Sequence, residues 1–263
     1  MSKIVAFVNQ KGGVGKTTST INVARCLADL GKKVLLVDLD PQGNASSGLG
    51  IDPRGLEKNL YHAMIGTASP REIVLSTNTQ NLHIIPAAQD LAGAEIEMVH
   101  IDAREFRLYS VLRQLRSFYD YILIDSPPSL GLLTVNGLVA SDEVVIPVQT
   151  EYYALEGLSQ LLGTVELVRE RLQPNLKIMG ALLTLFDRRN RLAQQVVNEV
   201  RAHFPGPVFE TVIPRSVRLA EAPSYGKSIL DFDSLSKGAR AYKSVAREIV
   251  SREGNETVTV NRE

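Results

Sequence analysis

The stretch Ile4-Val5-Ala6-Phe7-Val8-Asn9-Gln10-Lys11-Gly12-Gly13-Val14-Gly15-Lys16-Thr17-Thr18 decides how this chain folds. The continuous apolar run Ile4–Val8 predicts a strand covered on both faces. Glycines follow, then Lys-Thr, then a helical pattern with Ile21, Ala24, Leu27 and Ala28 on one face. Glycines let successive main-chain N–H groups turn inward around phosphate oxygens. The helix start adds its partial positive charge. In such a loop Lys16 reaches the β- and γ-phosphates and the Thr17 hydroxyl holds Mg²⁺. A plain glycine turn does not account for Gly15-Lys16-Thr17 at a strand–helix junction. A dinucleotide loop needs Gly-x-Gly-x-x-Gly, and its third glycine position is Thr18 here.

Two further strand ends carry acids. Val34–Val37 runs into Asp38-Leu39-Asp40-Pro41, and Tyr121–Ile124 runs into Asp125-Ser126-Pro127-Pro128. In an open parallel sheet, the C-terminal strand ends face the ligand. Acids at strand ends are common in solvated positions. Beside a phosphate loop, the Asp38/Asp40 pair predicts a water-positioning role. Asp125 matches the strand-end Asp that helps hold Mg²⁺.

Short β-rich runs alternate with helical patterns along the 263 residues. Strands are predicted at Ile4–Val8, Val34–Val37, Leu82–Ile85, Tyr121–Ile124, Val144–Val148, Ile178–Leu185 and Val208–Val212. Helical spacing links Leu155, Leu158, Leu161, Leu162, Val165 and Val168. It also links Leu192, Val196 and Val200, and then Tyr242, Val245, Ala246 and Ile249. The rhythm predicts one doubly wound α/β domain over residues 1–253, with a mostly parallel sheet flanked by helices. Residues 254–263 are polar and are expected to fray. The glycine-rich region 43–81 is expected to form loops and short helices above the sheet.

No apolar run approaches the roughly 18–20 residues that span a bilayer, and no signal-peptide core is present. A cytoplasmic location is expected. The single cysteine, Cys26, excludes a disulfide within the chain. Net charge is zero, yet unevenly spread. Residues 1–168 carry 13 Lys/Arg and 18 Asp/Glu, a net of −5, and residues 169–263 carry 16 and 11, a net of +5.

The loop departs from G-x-x-x-x-G-K-T because Gln10 stands at the first glycine and Lys11 precedes the others. This Lys-Gly-Gly-x-Gly-Lys-Thr form is the deviant Walker A signature and resembles the ParA/MinD group of ATPases. The resemblance covers nearly the whole chain. It implies that Lys11 reaches across an ATP-bound homodimer to the partner's nucleotide, and that Gly12, Gly13, Val14, Gly15, Lys16, Thr17 and Thr18 hold ATP. It further implies that Asp40 orients the attacking water and that Asp38, with Thr17 and Asp125, lies at Mg²⁺. Val212-Ile213-Pro214-Arg215 and Val217–Ser224 resemble the chromosomal ParA (Soj) proteins, which implies that Pro214 and Ser216 line an adenine pocket. The family more often has Asn at position 216.

The basic third offers a phosphate-binding patch. Asp187-Arg188-Arg189-Asn190-Arg191 crowds three arginines at a helix start, where their sign opposes the helix dipole. Phosphate contact explains that placement better than solvation. Arg215, Arg218 and Lys227 are candidates for the same patch. With no aromatic base-stacking cluster and no recognition helix, the expectation is backbone binding without base readout. The resemblance then implies a chromosome-partitioning ATPase at the nucleoid. It binds double-stranded DNA nonspecifically as an ATP dimer and is reset by a ParB-type partner that stimulates hydrolysis. A MinD-like membrane switch is the alternative. Against it, the last helix pattern reads as packing on the sheet, and the polar end lacks the large apolar residues of an interfacial helix. An electron-transfer ATPase of the nitrogenase iron-protein type would need two cysteines.

Overall fold

The computed structural model describes residues 2–151 and 158–260. Seven strands, β1 (Lys3–Phe7), β2 (Val34–Asp38), β3 (Leu75–Ser76), β4 (Leu82–Ile85), β5 (Tyr121–Asp125), β6 (Glu143–Gln149) and β7 (Lys177–Thr184), form one sheet in the order β3-β4-β2-β5-β1-β6-β7. All pairings are parallel except β3 with β4. The helices are α1 (Lys16–Asp29), α2 (Asn44–Gly48), α3 (Leu60–Ile65), α4 (Leu91–Glu97), α5 (Arg107–Arg113) and α6 (Leu132–Ala140), followed by α7 (Leu158–Arg171), α8 (Arg191–His203), α9 (Val217–Glu221), α10 (Ile229–Phe232) and α11 (Lys237–Val260).

Each central strand is apolar on both faces, and successive side chains enter opposite cores. Leu35, Val37, Ile122 and Ile124 join one core with residues of α3 to α8. Val34, Leu36, Leu123, Val5 and Phe7 join the other with α1, α10 and α11. The apolar face expected on the last helix is used this way: Ala239, Tyr242, Val245, Ala246 and Ile249 are all buried against the sheet and α1. Among the described residues no helix is long and apolar enough to cross a membrane. Leu158, Leu161, Val165 and Val168 form the buried face of α7, and Leu155 lies outside the described residues.

The structure differs from the sequence expectation at two places. Val208–Val212 is not a strand. It runs beside β7 with only isolated bridges at Ala181↔Val208 and Phe186↔Pro214. Pro207 and Pro214 have no N–H to give a ladder. The N–H groups of Glu210 and Thr211 donate instead to the Glu248 carboxylate on α11, each at 2.9 Å. The short antiparallel β3 was not foreseen within region 43–81.

Candidate nucleotide site

β1 delivers the chain to the phosphate loop at the sheet's C-terminal edge, beside β5 and β6. Gly13 (φ 75°) and Gly15 (φ 85°) take left-handed conformations that glycine alone adopts without strain. Gly15 caps α1 with no side-chain hydrogen bond, and the first turn holds no acidic residue. The first N–H groups of α1 therefore remain available to an anion. Thr184 Oγ1 donates to the Val14 carbonyl at 2.8 Å and pins the loop to the end of β7.

Lys16 is buried, and its Nζ donates to the Lys11 carbonyl at 3.1 Å. Burial lowers its pKa, while the nearby carboxylates of Asp125 and Asp40 favour the charged form. The Lys11 side chain is exposed and is not among the residues lining the pocket beneath the loop.

The strand pairing explains why the carboxylates meet. Asp38 and Asp125 are register partners at the ends of β2 and β5. Both are fully buried, and burial is the main reason that both pKa values rise. For Asp125 the Asp38 charge adds to the rise, while the Thr17 hydroxyl and Lys16 oppose it. Asp38 is hydrogen-bonded on both oxygens. Oδ2 accepts from the N–H (2.8 Å) and hydroxyl (2.7 Å) of Ser46, and Oδ1 accepts from the Asp40 N–H at 3.3 Å. Asp125 Oδ1 accepts from Thr20 Oγ1 at 3.2 Å. Its Oδ2 is buried with no hydrogen-bond partner among the described residues.

A buried carboxylate oxygen without a donor, beside a hydroxyl, suits a hard cation. The Mg²⁺ expected from the sequence fits Asp125 and Thr17 on that ground. Asp38 fits better as the residue that holds Ser46 and the Asp40 turn. Among the described residues no three His, Cys, Asp or Glu side chains gather into a metal cluster. Mg²⁺ would therefore depend on phosphate oxygens for the rest of its ligands. Asp40 is buried, faces the pocket, and accepts the Gln42 N–H at 3.0 Å.

The pocket has a volume of about 290 Å³. Gly12, Gly13, Gly15, Lys16, Thr17, Thr18 and Asp40 line it, together with Pro214 and Ser216. Sequence reasoning missed Asn44, Pro128, Thr184, Leu185, Leu219 and Tyr242, which also face it. Thr184 and Leu185 end a predicted strand at the ligand edge, so the strand-end rule could have found them. Leu185 holds a left-handed φ of 56°, a costly conformation for leucine. Tyr242 carried only a core signal. Its hydroxyl lies 3.1 Å from Ser19 Oγ of α1, which ties α11 to the phosphate-loop helix.

Residues 2–178 match the family model of an AAA domain. The Bacillus subtilis sporulation initiation inhibitor protein Soj is 55% identical over 95% of this chain and 99% of its own length. The Treponema pallidum chromosome-partitioning ATPase Soj is 52% identical over 97% of this chain and 99% of its own. The chain belongs to the Soj/ParA family of chromosome-partitioning ATPases. Among solved structures, a Mycobacterium smegmatis protein described as cobyrinic acid a,c-diamide synthase, with bound ADP and magnesium, is 37% identical. It superposes with a TM-score of 0.85 over 95% of this chain and 94% of that one.

The arginines expected to meet DNA in this Soj/ParA chain fall into two groups. Arg188, Arg189 and Arg191 are exposed around the start of α8, where Asn190 caps the helix by accepting the Leu192 N–H at 2.9 Å. Lys227 is exposed as well. Arg215 instead pairs with Glu151 at 2.9 Å, and Arg218 pairs with Glu221 at 3.2 Å and lies 3.8 Å from Asp233. The main chain links the two groups, since the Arg215 N–H donates to the Phe186 carbonyl at 2.9 Å.

Proposed function

We propose that this chain is a partitioning ATPase that cycles between a monomer and an ATP-bound sandwich homodimer. The dimer binds double-stranded DNA without base readout, and a ParB-type partner stimulates hydrolysis to reset it. The observation that carries the reading is the different placement of two lysines of one loop. Lys16 is buried and aimed inward, and Lys11 is exposed outside its own pocket. A second ammonium supplied by a partner subunit would offset charge developing on the transferred phosphoryl group.

In this scheme the α1 N-terminus and the loop N–H groups bind the phosphates, and Lys16 neutralises the β- and γ-oxygens. Asp40 accepts a hydrogen bond from the attacking water and orients it. Asp125 and Thr17 would hold Mg²⁺, which when bound neutralises phosphate charge. Pro214 and Ser216 would flank the adenine. The magnesium and ADP bound by the M. smegmatis relative support this assignment. The buried apolar face of α11 favours a nucleoid-associated protein over a membrane switch.

The test is size-exclusion chromatography and DNA binding of the wild type with ADP and with ATP, both with magnesium. A dimer and tight DNA binding with ATP alone are expected. A monomer with ATP, or equal DNA binding in both states, would overturn the cycle.

A further inference from the structure

At the end of the sheet away from the phosphate loop, where β2, β4 and β5 begin, lies a second pocket of about 490 Å³. Lys33, Asn81 and Tyr119 stand just before those three strands and line it, with Arg71, Val74, His83, Leu115 and Phe118. Its volume is within the range of roughly 300–1,000 Å³ that holds small ligands.

The lining has three distinct parts. Leu115 is buried and Val74 half-buried, which makes an apolar floor. Tyr119 and His83 form a wall. Their rings meet edge to face at 5.6 Å, and the Tyr119 hydroxyl lies 3.1 Å from His83 Nδ1. That bond fixes both rings before any ligand arrives, which lowers the entropic cost of binding. The rim is cationic. The Arg71 guanidinium sits 4.9 Å above the Phe118 ring, which is itself 50% exposed, and Lys33 is exposed beside them.

Neither cation forms an ion pair among the described residues. The neighbouring acids bond to groups other than these two side-chain cations. Glu72 pairs with Lys58 at 3.1 Å and accepts the Ser69 N–H at 2.8 Å. The Asp120 carboxylate accepts the Lys33 main-chain N–H at 2.7 Å. Stacking on Phe118 holds the guanidinium in place and leaves its N–H edge free for a bidentate acceptor.

We propose that this pocket binds a small aromatic anion. The ring lies against Tyr119 and His83 over Leu115, and the acid group sits between Arg71 and Lys33. An uncharged ring would leave both cations unmatched, and a bare inorganic anion would leave the apolar floor unfilled. The site is independent of the nucleotide pocket.

The probe is anilinonaphthalene sulfonate, titrated by fluorescence into the full chain, with the uncharged N-phenylnaphthylamine as its partner. One saturable site for the sulfonate is expected. The double variant Lys33→Ala/Arg71→Ala should weaken it by about tenfold or more, since charge-assisted hydrogen bonds are lost. The neutral probe should bind the wild type at least about tenfold more weakly and ignore the double variant. Val74→Trp, which keeps the charges and fills the floor, should remove the sulfonate as well. Both substituted cations are exposed, so the melting temperature of the double variant should stay near that of the wild type. No saturable site, unchanged sulfonate affinity in either variant, or equal binding of the two probes would overturn the assignment.

Discussion

The ammonium of Lys16 donates to the main-chain carbonyl of Lys11 at 3.1 Å, so the two lysines of the signature are bonded through one main-chain oxygen. Lys16 lies buried in the pocket, and Lys11 is exposed outside it.

Replacing Lys16 by Ala should weaken ATP binding by about 100-fold or more, because two or more charge-assisted phosphate contacts disappear. Calorimetry reads this directly. Wild-type affinity would remove Lys16 from the phosphate site.

Asp40→Ala should keep ATP affinity and lower turnover by roughly 10²–10⁴, the range of a lost general-base or water-orienting group. The triphosphate then persists, and the dimer should remain on a sizing column. Normal hydrolysis, or a monomer with ATP, contradicts the role.

Lys11→Ala should bind ATP as a monomer and lose roughly 10³-fold in partner-stimulated turnover, the lower range for a charge supplied in trans. Mixed with Asp40→Ala, it should form dimers with one working site: the site whose Asp40 is intact and whose partner supplies Lys11. Full activity of the Lys11 variant alone would refute the trans lysine.

Asp125→Asn should stabilise the nucleotide-free protein at pH 8 while abolishing its magnesium-dependent nucleotide binding. Burial raises the folded-state pKa of Asp125 above its unfolded value. The folded state therefore holds the proton more tightly, and wild-type stability falls as pH climbs from about 4 through that raised value. The variant has no such group. Its advantage, about 1–3 kcal/mol or a few degrees in Tm, should vanish near pH 4. Melting curves across pH check this, and a pH-independent difference would contradict it.

Arg189→Ala should flatten the salt dependence of DNA binding. Each phosphate contact contributes about −0.9 to the slope of log K against log salt, so a dimer losing two should change by about 1.8. Affinity should fall equally on unrelated duplexes while ATP-driven dimerisation survives. Arg215→Ala should change the slope less, because Glu151 already neutralises that guanidinium. An unchanged slope for Arg189→Ala, or loss on one duplex only, would refute backbone contact there.

What the sequence determined by itself was local. Strand, glycine loop, Lys-Thr and helix follow one another within residues 3–29, so the phosphate loop needs no distant contact to be read. The apolar strand runs and the acids that end them were equally legible, since a parallel strand shows its burial in its own composition. Tertiary structure decided whatever depended on a partner far along the chain. Glu248 diverts the N–H groups of Glu210 and Thr211 and turns an apolar run into an irregular segment. Tyr242 reaches Ser19 across 223 positions to join a pocket that its periodicity marked only as core. Glu151 engages Arg215, 64 positions away, which composition could only count as free charge. The physical reason is the same in each case. Hydrogen bonds and ion pairs depend on distance in space, and between residues far apart in the chain that distance is set by how the sheet stacks its helices.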